Sequence, residues 1–525
     1  MMQPGRRRAL QAGLAAGSFF LPLPYALVRA QVDGALKLLK APKVALVVGN
    51  SKYKDAPELK NAVNDAKAMT EALKASGFAV TAHIDAGRDA LIRAIREYVH
   101  AMEQRKCVGL FYFAGHGVQL EWRNYMLPID AVIDRVDDVA KQSVDVARLM
   151  EGLTKAANPM NIIILDACRE NPFPQAKQAA KGLSQMDAPT HTILAYATSP
   201  GNVASDGDGV NGLYTENLLR EMKVPEAKIE DVFKRVRLGV RRKTNGAQIP
   251  WESTSLEDDF WFLPPAELKK LSDQEKERLF RQELALWEKV QHSKDPAPLV
   301  DYLSRHPSGQ YSELAQLQLD RILAAQGEKR VEVLNAAENP FTKGSARADT
   351  AWRTGDSYAY RALDLYTKVE SKGPTHTVTE ITDREVVYSS GFVSDLLGNF
   401  VRLPDGRRLT PNQVYPSEFA VGKHWTTRFI TTSPTHGEFQ TEFRIRITAK
   451  ERVVVPAGTF DAFRVEYVGN ALGEMAITIT RTNWFAPDKV RLPVAVEILR
   501  RARPPRGLEK VIESRRLELV SFKQG

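Results

Sequence analysis

The hydrophobic pattern changes twice along the chain, and each change separates a different kind of structure. Between residues 43 and 264, short continuous apolar runs alternate with amphipathic segments of helical spacing. Runs that are apolar throughout indicate strands buried on both faces, as in a parallel sheet covered by helices. The pattern therefore predicts an α/β domain. Its clearest strands are expected at residues 44–48, 108–113, 161–165 and 192–197.

The second region, residues 265–330, is charged and has helical spacing. Ser272 and Glu275 form the pattern of a capping box, and the apolar stripe that follows is typical of a helix with one buried face. No repeat period is sustained, so a solenoid is not supported. We predict a helical connector.

The third region, residues 347–525, changes to a period of two. Residues 443–448 (FRIRIT) show the alternation of apolar and polar positions that is typical of half-buried antiparallel strands. We predict an antiparallel all-β domain, built either as a sandwich or as an open barrel. Residues 455–460 (VPAGTF) and 484–487 (WFAP) resemble a family of uncharacterised bacterial envelope β-domains, a resemblance that implies no activity.

Residues 1–30 have the layout of an export signal. Arg6, Arg7 and Arg8 precede an apolar stretch that glycines and prolines interrupt, and small residues stand before Gln31. The paired arginines favour a twin-arginine signal, with a Sec signal or an uncleaved anchor as alternatives. No later stretch approaches the roughly 18 apolar residues that a membrane span needs. We expect a periplasmic or secreted bacterial protein without a transmembrane span in its mature form.

The charge of the whole chain first suggests nucleic acid as a partner. The formal net charge is +9, but residues 1–30 hold four arginines and no acid, so their removal leaves +5. Spread over the rest of the chain, this excess does not predict nucleic-acid binding.

Candidate chemistry lies where two of the predicted strands end. Ligands bind beyond the carboxyl ends of the strands in an open α/β sheet. His116 stands between Gly115 and Gly117 after one apolar run, and Cys168 follows another. An imidazole can keep a thiolate deprotonated near neutral pH, and the N–H groups of Gly117 and Cys168 could stabilise an oxyanion. We predict a Cys-His dyad.

The other cysteine, Cys107, is expected at the opposite end of the strand that leads to His116. That separation is on the order of 20 Å, whereas a disulfide needs Cα atoms within about 7 Å. We therefore predict that Cys107 is a small buried residue and is not bridged to Cys168.

Several ordered motifs resemble the caspase-like cysteine peptidases, specifically their bacterial metacaspase-like branch. The resemblance covers about residues 43–262 and implies the caspase-hemoglobinase fold, a mostly parallel sheet flanked by helices. Carried over by position, it implies Cys168 as the nucleophile, His116 as the general acid and base, and Gly117 with the Cys168 amide as the oxyanion hole. The motifs are residues 43–50 (KVALVVGN), 111–117 (FYFAGHG), 125–130 (YMLPID) and 163–171 (IILDACREN).

Acidic residues near the predicted nucleophile indicate a substrate preference. Asp166 lies two positions before Cys168, which places both on the same side of an extended segment. A carboxylate beside the cleaved bond favours Arg or Lys at P1, the substrate residue that precedes that bond. The metacaspase resemblance implies the same preference. Asp206 and Asp208 could complete an acidic pocket or form a solvated turn.

The predicted chemistry requires no cofactor. A further acidic run could bind calcium, but the acidic N-terminus of a helix is the favoured explanation. The run consists of Asp130, Asp134, Asp137 and Asp138. A loop with Lys177 and Lys181 could be a site of self-processing.

Two functions are compatible with these residues. The first is a cysteine endopeptidase that cleaves proteins or peptides after Arg or Lys through a thioacyl intermediate. The alternative is a catalytically silent caspase-like envelope scaffold or binding protein. In either case the C-terminal β-domain could engage an envelope partner.

Overall fold

The computed structural model describes most of the chain from residue 34 onward. The predicted export signal, Asp206, Asp208 and the predicted processing loop with Lys177 and Lys181 lie outside the described residues. Those residues are 34–168, 172–173, 182–200, 202, 204, 209–268, 271–328, 339, 341–342, 344–435, 437–472, 476–503 and 509–525.

A mixed sheet organises the N-terminal part. Its strands are β1 (Lys43–Gly49), β2 (Ala79–Ile84), β3 (Val108–Leu120), β4 (Arg123–Met126), β5 (Val144–Asp145), β6 (Met160–Cys168), β7 (Thr192–Tyr196) and β8 (Trp251–Thr254). The order is β2-β1-β3-β6-β7-β8, and these strands run parallel except for β8. The short β4 pairs antiparallel with β3 and with β5. The predicted strands are all present, and β1, β3 and β7 are almost entirely buried, as their continuous apolarity indicated.

Helices pack with this sheet into one hydrophobic core. They are α1 (Ala62–Ala75), α2 (Arg88–Arg105), α4 (Val146–Ala156), α5 (Leu213–Glu221) and α6 (Ile229–Lys243). The short helix α3 (Val136–Gln142) instead buries Val139 in a smaller separate cluster with Val118 and Tyr125. In α1, the buried face carries Ala62, Ala66, Met69 and Leu73 at helical spacing. The α/β fold predicted for this part of the chain is confirmed.

The charged region that follows is helical, with α7 (Asp273–Val290), α8 (Pro296–Arg305) and α9 (Ser312–Ala325). The predicted capping box at the start of α7 is present, because Ser272 accepts from the Glu275 amide and Glu275 accepts from the Ser272 amide. Trp287, Tyr302 and Tyr311 are buried in the core that these helices share.

The C-terminal part is a closed antiparallel barrel of twelve strands among the described residues. The sequence predicted a sandwich or an open barrel. The barrel closes because its first strand pairs with its last, a long-range contact that alternation along single strands does not encode. The barrel strands are β10 (Ser357–Asp364), β11 (Glu370–Ile381), β12 (Glu385–Tyr388), β13 (Val393–Asp395), β14 (Phe400–Arg402), β15 (Arg408–Leu409), β17 (His424–Ser433), β18 (Gly437–Val455), β19 (Gly458–Leu472), β20 (Ala476–Phe485), β21 (Ala495–Arg503) and β22 (Lys510–Lys523).

A separate pair of short strands, β9 (Ser345–Arg347) and β16 (Glu418–Ala420), lies outside the barrel ladder. In the part of the chain that the structure describes, no helix is both long enough and apolar enough to cross a bilayer.

One histidine of the barrel is surrounded by aromatic rings. The His376 ring on β11 lies 6.0 Å from Tyr360, 5.9 Å from Tyr388 and 5.2 Å from Phe392, measured between ring centroids. Its Nδ1 atom lies 2.8 Å from the Ser390 hydroxyl. Burial disfavours the charged imidazolium and lowers the pKa of His376 to about 4.

This lowered pKa predicts how the stability of the barrel depends on pH. Between pH 6.5 and 4 the unfolded chain binds a proton at His376 that the folded chain does not, so stability falls as the pH falls through that range. The loss amounts to at most about 3 kcal/mol. Urea unfolding of the wild type and of His376→Phe, followed by tryptophan fluorescence, should show a shallower pH dependence in the variant. Equal pH dependence in both proteins would contradict the assignment.

Candidate active site

The pairing of β3 with β6 brings the backbones of His116 and Cys168 close together. In the register of these parallel strands, Ala114 pairs with Asp166 and Gly117 pairs with Cys168. Three steps along β3 therefore correspond to two along β6, so β3 bulges between Ala114 and Gly117. The sequence placed His116 and Cys168 after their strands, and this detail was wrong. β3 continues to Leu120 because β4 pairs with its second half, and Cys168 is the last residue of β6.

Gly117 has no room for a side chain. A Cβ atom built on it would lie 2.7 Å from the carbonyl oxygen of Ala167 and 3.0 Å from Cδ2 of Leu183. The glycine allows β3 to approach the end of β6 closely, and it leaves the backbone of residue 117 facing the end of that strand.

The His116 ring is held by the loop that follows β1. Nε2 lies 2.8 Å from the carbonyl oxygen of Pro57, and the ring packs 4.7 Å from the ring of Tyr53. The backbone N–H of His116 donates to the Tyr53 hydroxyl at 2.8 Å. A carbonyl oxygen can only accept, so Nε2 carries the proton of the neutral ring and Nδ1 is the nitrogen able to take another. The histidine is 5% exposed.

Tyr53 and Pro57 are contacts that the sequence did not predict. They lie in a loop about sixty residues before His116, and the Pro57 contact is made by a backbone oxygen, which any residue type supplies.

The two cysteines lie at opposite ends of the sheet. Cys107 precedes β3, is fully buried and is a free thiol, in agreement with the prediction that it is an unbridged core residue. Burial raises the pKa of the Cys107 thiol, which makes it a poor source of thiolate at neutral pH. Cys168 lies at the other end, beside Gly117.

Asp166 is buried at the end of β6 and belongs to a chain of hydroxyl groups. Its Oδ2 accepts from the Thr215 hydroxyl at 2.9 Å, and Thr215 lies 2.6 Å from the Tyr112 hydroxyl. Because the Thr215 proton goes to Asp166, the Tyr112 hydroxyl donates to Thr215. Burial, and then the charges of Asp166 and Asp65, raise the pKa of Tyr112 well above its usual value, so the phenol keeps the proton that it donates.

A second carboxylate, Asp65 on α1, faces the same space as Asp166. Asp65 is 2% exposed, and its Oδ1 accepts from the Asn211 side chain and from the Gly212 amide, both at 2.9 Å. A Cβ atom built on Gly212 would lie 3.0 Å from Oδ2 of Asp65 and 3.8 Å from Oδ2 of Asp166. Gly212, just before α5, therefore keeps this space between the two carboxylates open.

Asp65 is the acidic residue that sequence reasoning missed. The signal was present, because Asp65 lies between Ala62 and Ala66 on the apolar face of a helix whose one other acid, Glu71, is exposed. A carboxylate on the buried face of a helix needs a specific partner or a function.

The remaining predicted acids are distributed differently. Asp206 and Asp208 lie outside the described residues. Asp130 accepts from the Arg88 amide at 2.8 Å, and Asp138, in the first turn of α3, accepts from the Arg135 amide at 2.9 Å. These two contacts are those of a loop and of a helix N-terminus, and calcium binding by the acidic run stays untested. Across the described ranges, no group of three or more His, Cys, Asp or Glu residues is arranged to hold a metal ion.

Comparisons with known proteins point to one family. Residues 42–261 match the family model described as the caspase domain. The mucosa-associated lymphoid tissue lymphoma translocation protein 1 of Homo sapiens is 25% identical over 190 residues, which are 35% of this chain and 22% of that protein. Its Mus musculus homolog matches to the same extent. The chain thus spans about a fifth of the length of these curated relatives.

A solved structure is also matched. The crystal structure of the Drosophila initiator caspase Dronc aligns with a TM-score of 0.31 and 16% sequence identity, over 42% of this chain and 83% of that chain.

The residues that match the family model include all the residues of the candidate active site. They include the paired strands β3 and β6, the loop that holds His116, and both buried carboxylates, Asp65 and Asp166. Residues 42–261 of this chain are therefore a caspase-like peptidase domain.

Proposed function

We propose that the chain is a cysteine endopeptidase that cleaves after Arg or Lys, with Cys168 as the nucleophile and His116 as the general acid and base. The observation that carries the proposal is the register of β3 and β6, which pairs Gly117 with Cys168. Neighbouring parallel strands lie about 4.8 Å apart, so this register sets the residue after His116 next to Cys168.

Acylation follows from the hydrogen bond at Nε2. With Nε2–H directed to the Pro57 carbonyl, Nδ1 of His116 takes the proton of the Cys168 thiol. The thiolate attacks the carbonyl carbon of the peptide bond, and the N–H groups of Gly117 and Cys168 stabilise the oxyanion. The C–N bond then breaks as Nδ1–H protonates the leaving amine, which leaves a thioacyl enzyme.

Deacylation uses the same groups in reverse. Nδ1 of His116 removes a proton from water as the water oxygen attacks the thioester carbonyl carbon. The C–S bond breaks, the thiol regains the proton from Nδ1, and the new carboxyl end is released. The Pro57 carbonyl supports the imidazolium that forms in each half of the reaction, because it accepts from Nε2–H throughout.

The two buried carboxylates account for the proposed P1 preference. Asp65 and Asp166 face one space beside the end of β6, so a guanidinium or ammonium there would meet two negative charges. Arg could engage both carboxylates with its planar group, whereas Lys would bind as a point charge. Asp206 and Asp208 remain predicted contributors to this pocket.

We further propose that the protein acts outside the cytoplasm of a bacterium, after export directed by residues 1–30. Its substrates are proteins or peptides, and the chemistry needs no cofactor. The barrel is proposed to engage an envelope partner.

Replacing each cysteine by alanine distinguishes the proposed nucleophile from the buried thiol that takes no part in the reaction. Cys168→Ala should abolish turnover of a fluorogenic Arg peptide, whereas the matched change Cys107→Ala should leave the rate per folded molecule within about twofold, because that buried thiol lies at the other end of the sheet. His116→Ala should lower kcat by at least about 10²-fold. If the wild type hydrolyses no Arg, Lys or Asp peptide with or without calcium, the scaffold alternative replaces this proposal.

Neutralising one carboxylate of the pair tests the acidic pocket. Asp65→Asn or Asp166→Asn should lower kcat/KM for an Arg peptide by about tenfold to a hundredfold, the size expected for one charge-assisted hydrogen bond. Hydrolysis of a matched citrulline peptide, which is neutral at P1, should change little. Asp134→Asn, at an exposed acid, serves as the control for loss of one negative charge. Equal losses on both peptides would contradict a role in P1 selection.

A further inference from the structure

Beyond the proposed catalytic groups, a short segment of the peptidase domain forms a wall beside Gly117. Residues 182–186 are buried, and Cδ2 of Leu183 lies 3.0 Å from the position that a Cβ of Gly117 would take. Ser184 fixes this segment to β4, because it donates its N–H to Asn124 at 2.7 Å and accepts from the Asn124 side chain at 2.8 Å. We call residues 182–188 the wall segment.

The outer end of the wall segment is held by residues far along the chain. The carboxylate of Asp187 accepts from the Gly344 amide at 2.6 Å and from the Ser345 hydroxyl at 2.6 Å. The Asp187 amide donates to the Phe341 carbonyl at 2.8 Å, and the Asn339 side chain donates to the Gln185 carbonyl at 3.1 Å. These bonds join positions about 150 residues apart in sequence.

The same residues continue into the C-terminal part. Ser345 begins β9, which pairs with β16 so that Ser345 lies opposite Ala420. Lys423 follows β16, and its ammonium donates to Glu313 of α9 at 2.8 Å and to the carbonyl of Glu418 in β16 at 2.9 Å. Gly422 donates its N–H to the carbonyl of Ile447 in β18. A continuous set of contacts therefore runs from the barrel, through β16 and β9, to Asp187 and the wall segment.

Asp187 occupies a site where ionisation is costly unless specific donors are present. Burial raises the pKa of Asp187, and the donors Ser345 and Gly344 together with the charge of Lys450 act in the opposite direction. The Asp187 carboxylate therefore depends on its donors, because loss of Gly344 or Ser345 would leave an unsatisfied acceptor in a partly buried site.

We propose that Asp187 is a positioning residue of the peptidase: through Gly344 and Ser345 it makes the β9–β16 pair hold the wall segment against Gly117. This inference rests on the proposed function, in which the Gly117 amide stabilises the oxyanion. The C-terminal part then contributes to catalysis itself, in addition to any partner that the barrel binds.

Variants of the full chain test this role with two independent readouts. Asp187→Ala and the milder Ser345→Ala remove the contact from opposite sides. Asp187→Asn keeps both hydrogen bonds, because its amide oxygen can accept from Gly344 and its amide nitrogen can donate to the Ser345 oxygen. Thr190→Ala, at an exposed position just beyond the wall segment, is the matched control.

The expected result is a fall in kcat of about tenfold for Asp187→Ala, per titrated active site, with KM changed less than about twofold, because the Gly117 amide acts in the transition state. Ser345→Ala should show a smaller fall of the same kind, and Asp187→Asn and Thr190→Ala should stay near the wild type. Hydrogen exchange of peptides from the wall segment should be faster in Asp187→Ala than in Asp187→Asn.

Turnover by Asp187→Ala equal to that of the wild type would overturn the positioning role. If the wild type cleaves no peptide, the proposed function has failed, and the hydrogen-exchange measurement alone then tests whether Asp187 holds the wall segment. In that case faster exchange of the wall segment in Asp187→Ala supports it, and unchanged exchange overturns it.

Discussion

The parallel pairing of β3 with β6 is the constraint on which the active site depends. Both strands are buried, so their register is fixed by the core, and the bulge between Ala114 and Gly117 shifts it by one residue before Gly117 pairs with Cys168. The position of the Cys168 backbone relative to that of His116 is thus set by sheet hydrogen bonds and core packing. The loop after β1 adds the orientation of the ring, through Tyr53 and Pro57.

Two buried carboxylates lie near the end of β6, and each accepts hydrogen bonds from neutral donors. Asp65 accepts from the Gly212 amide at the start of α5, and Asp166 accepts from Thr215 within that helix. One helix terminus therefore holds both acids. Each of these neutral donors reduces the cost of burying a charge.

Most of the fold and part of the site follow from the sequence, for identifiable reasons. Continuous apolar runs predicted β1, β3, β6 and β7. Cys168, His116 and Asp166 could be selected because they lie near the ends of those runs. Barrel closure, the bulge and the contacts of Tyr53, Pro57 and Asp187 depend on partners distant in sequence, which local periodicity does not encode. The burial of Asp65 could have been predicted, because this residue interrupts the apolar face of α1.

The most direct test of the central claim is covalent labelling by a peptidyl-arginine chloromethyl ketone, mapped by mass spectrometry of proteolytic fragments. The reagent carries the P1 cation and an electrophilic carbon in place of the cleaved bond, and the chain offers it only two thiols. We expect one adduct, on Cys168. Its formation should be suppressed in His116→Ala and should be faster than labelling by the matching aspartyl reagent. Labelling of Cys107 instead, or faster labelling by the aspartyl reagent, would contradict the central claim.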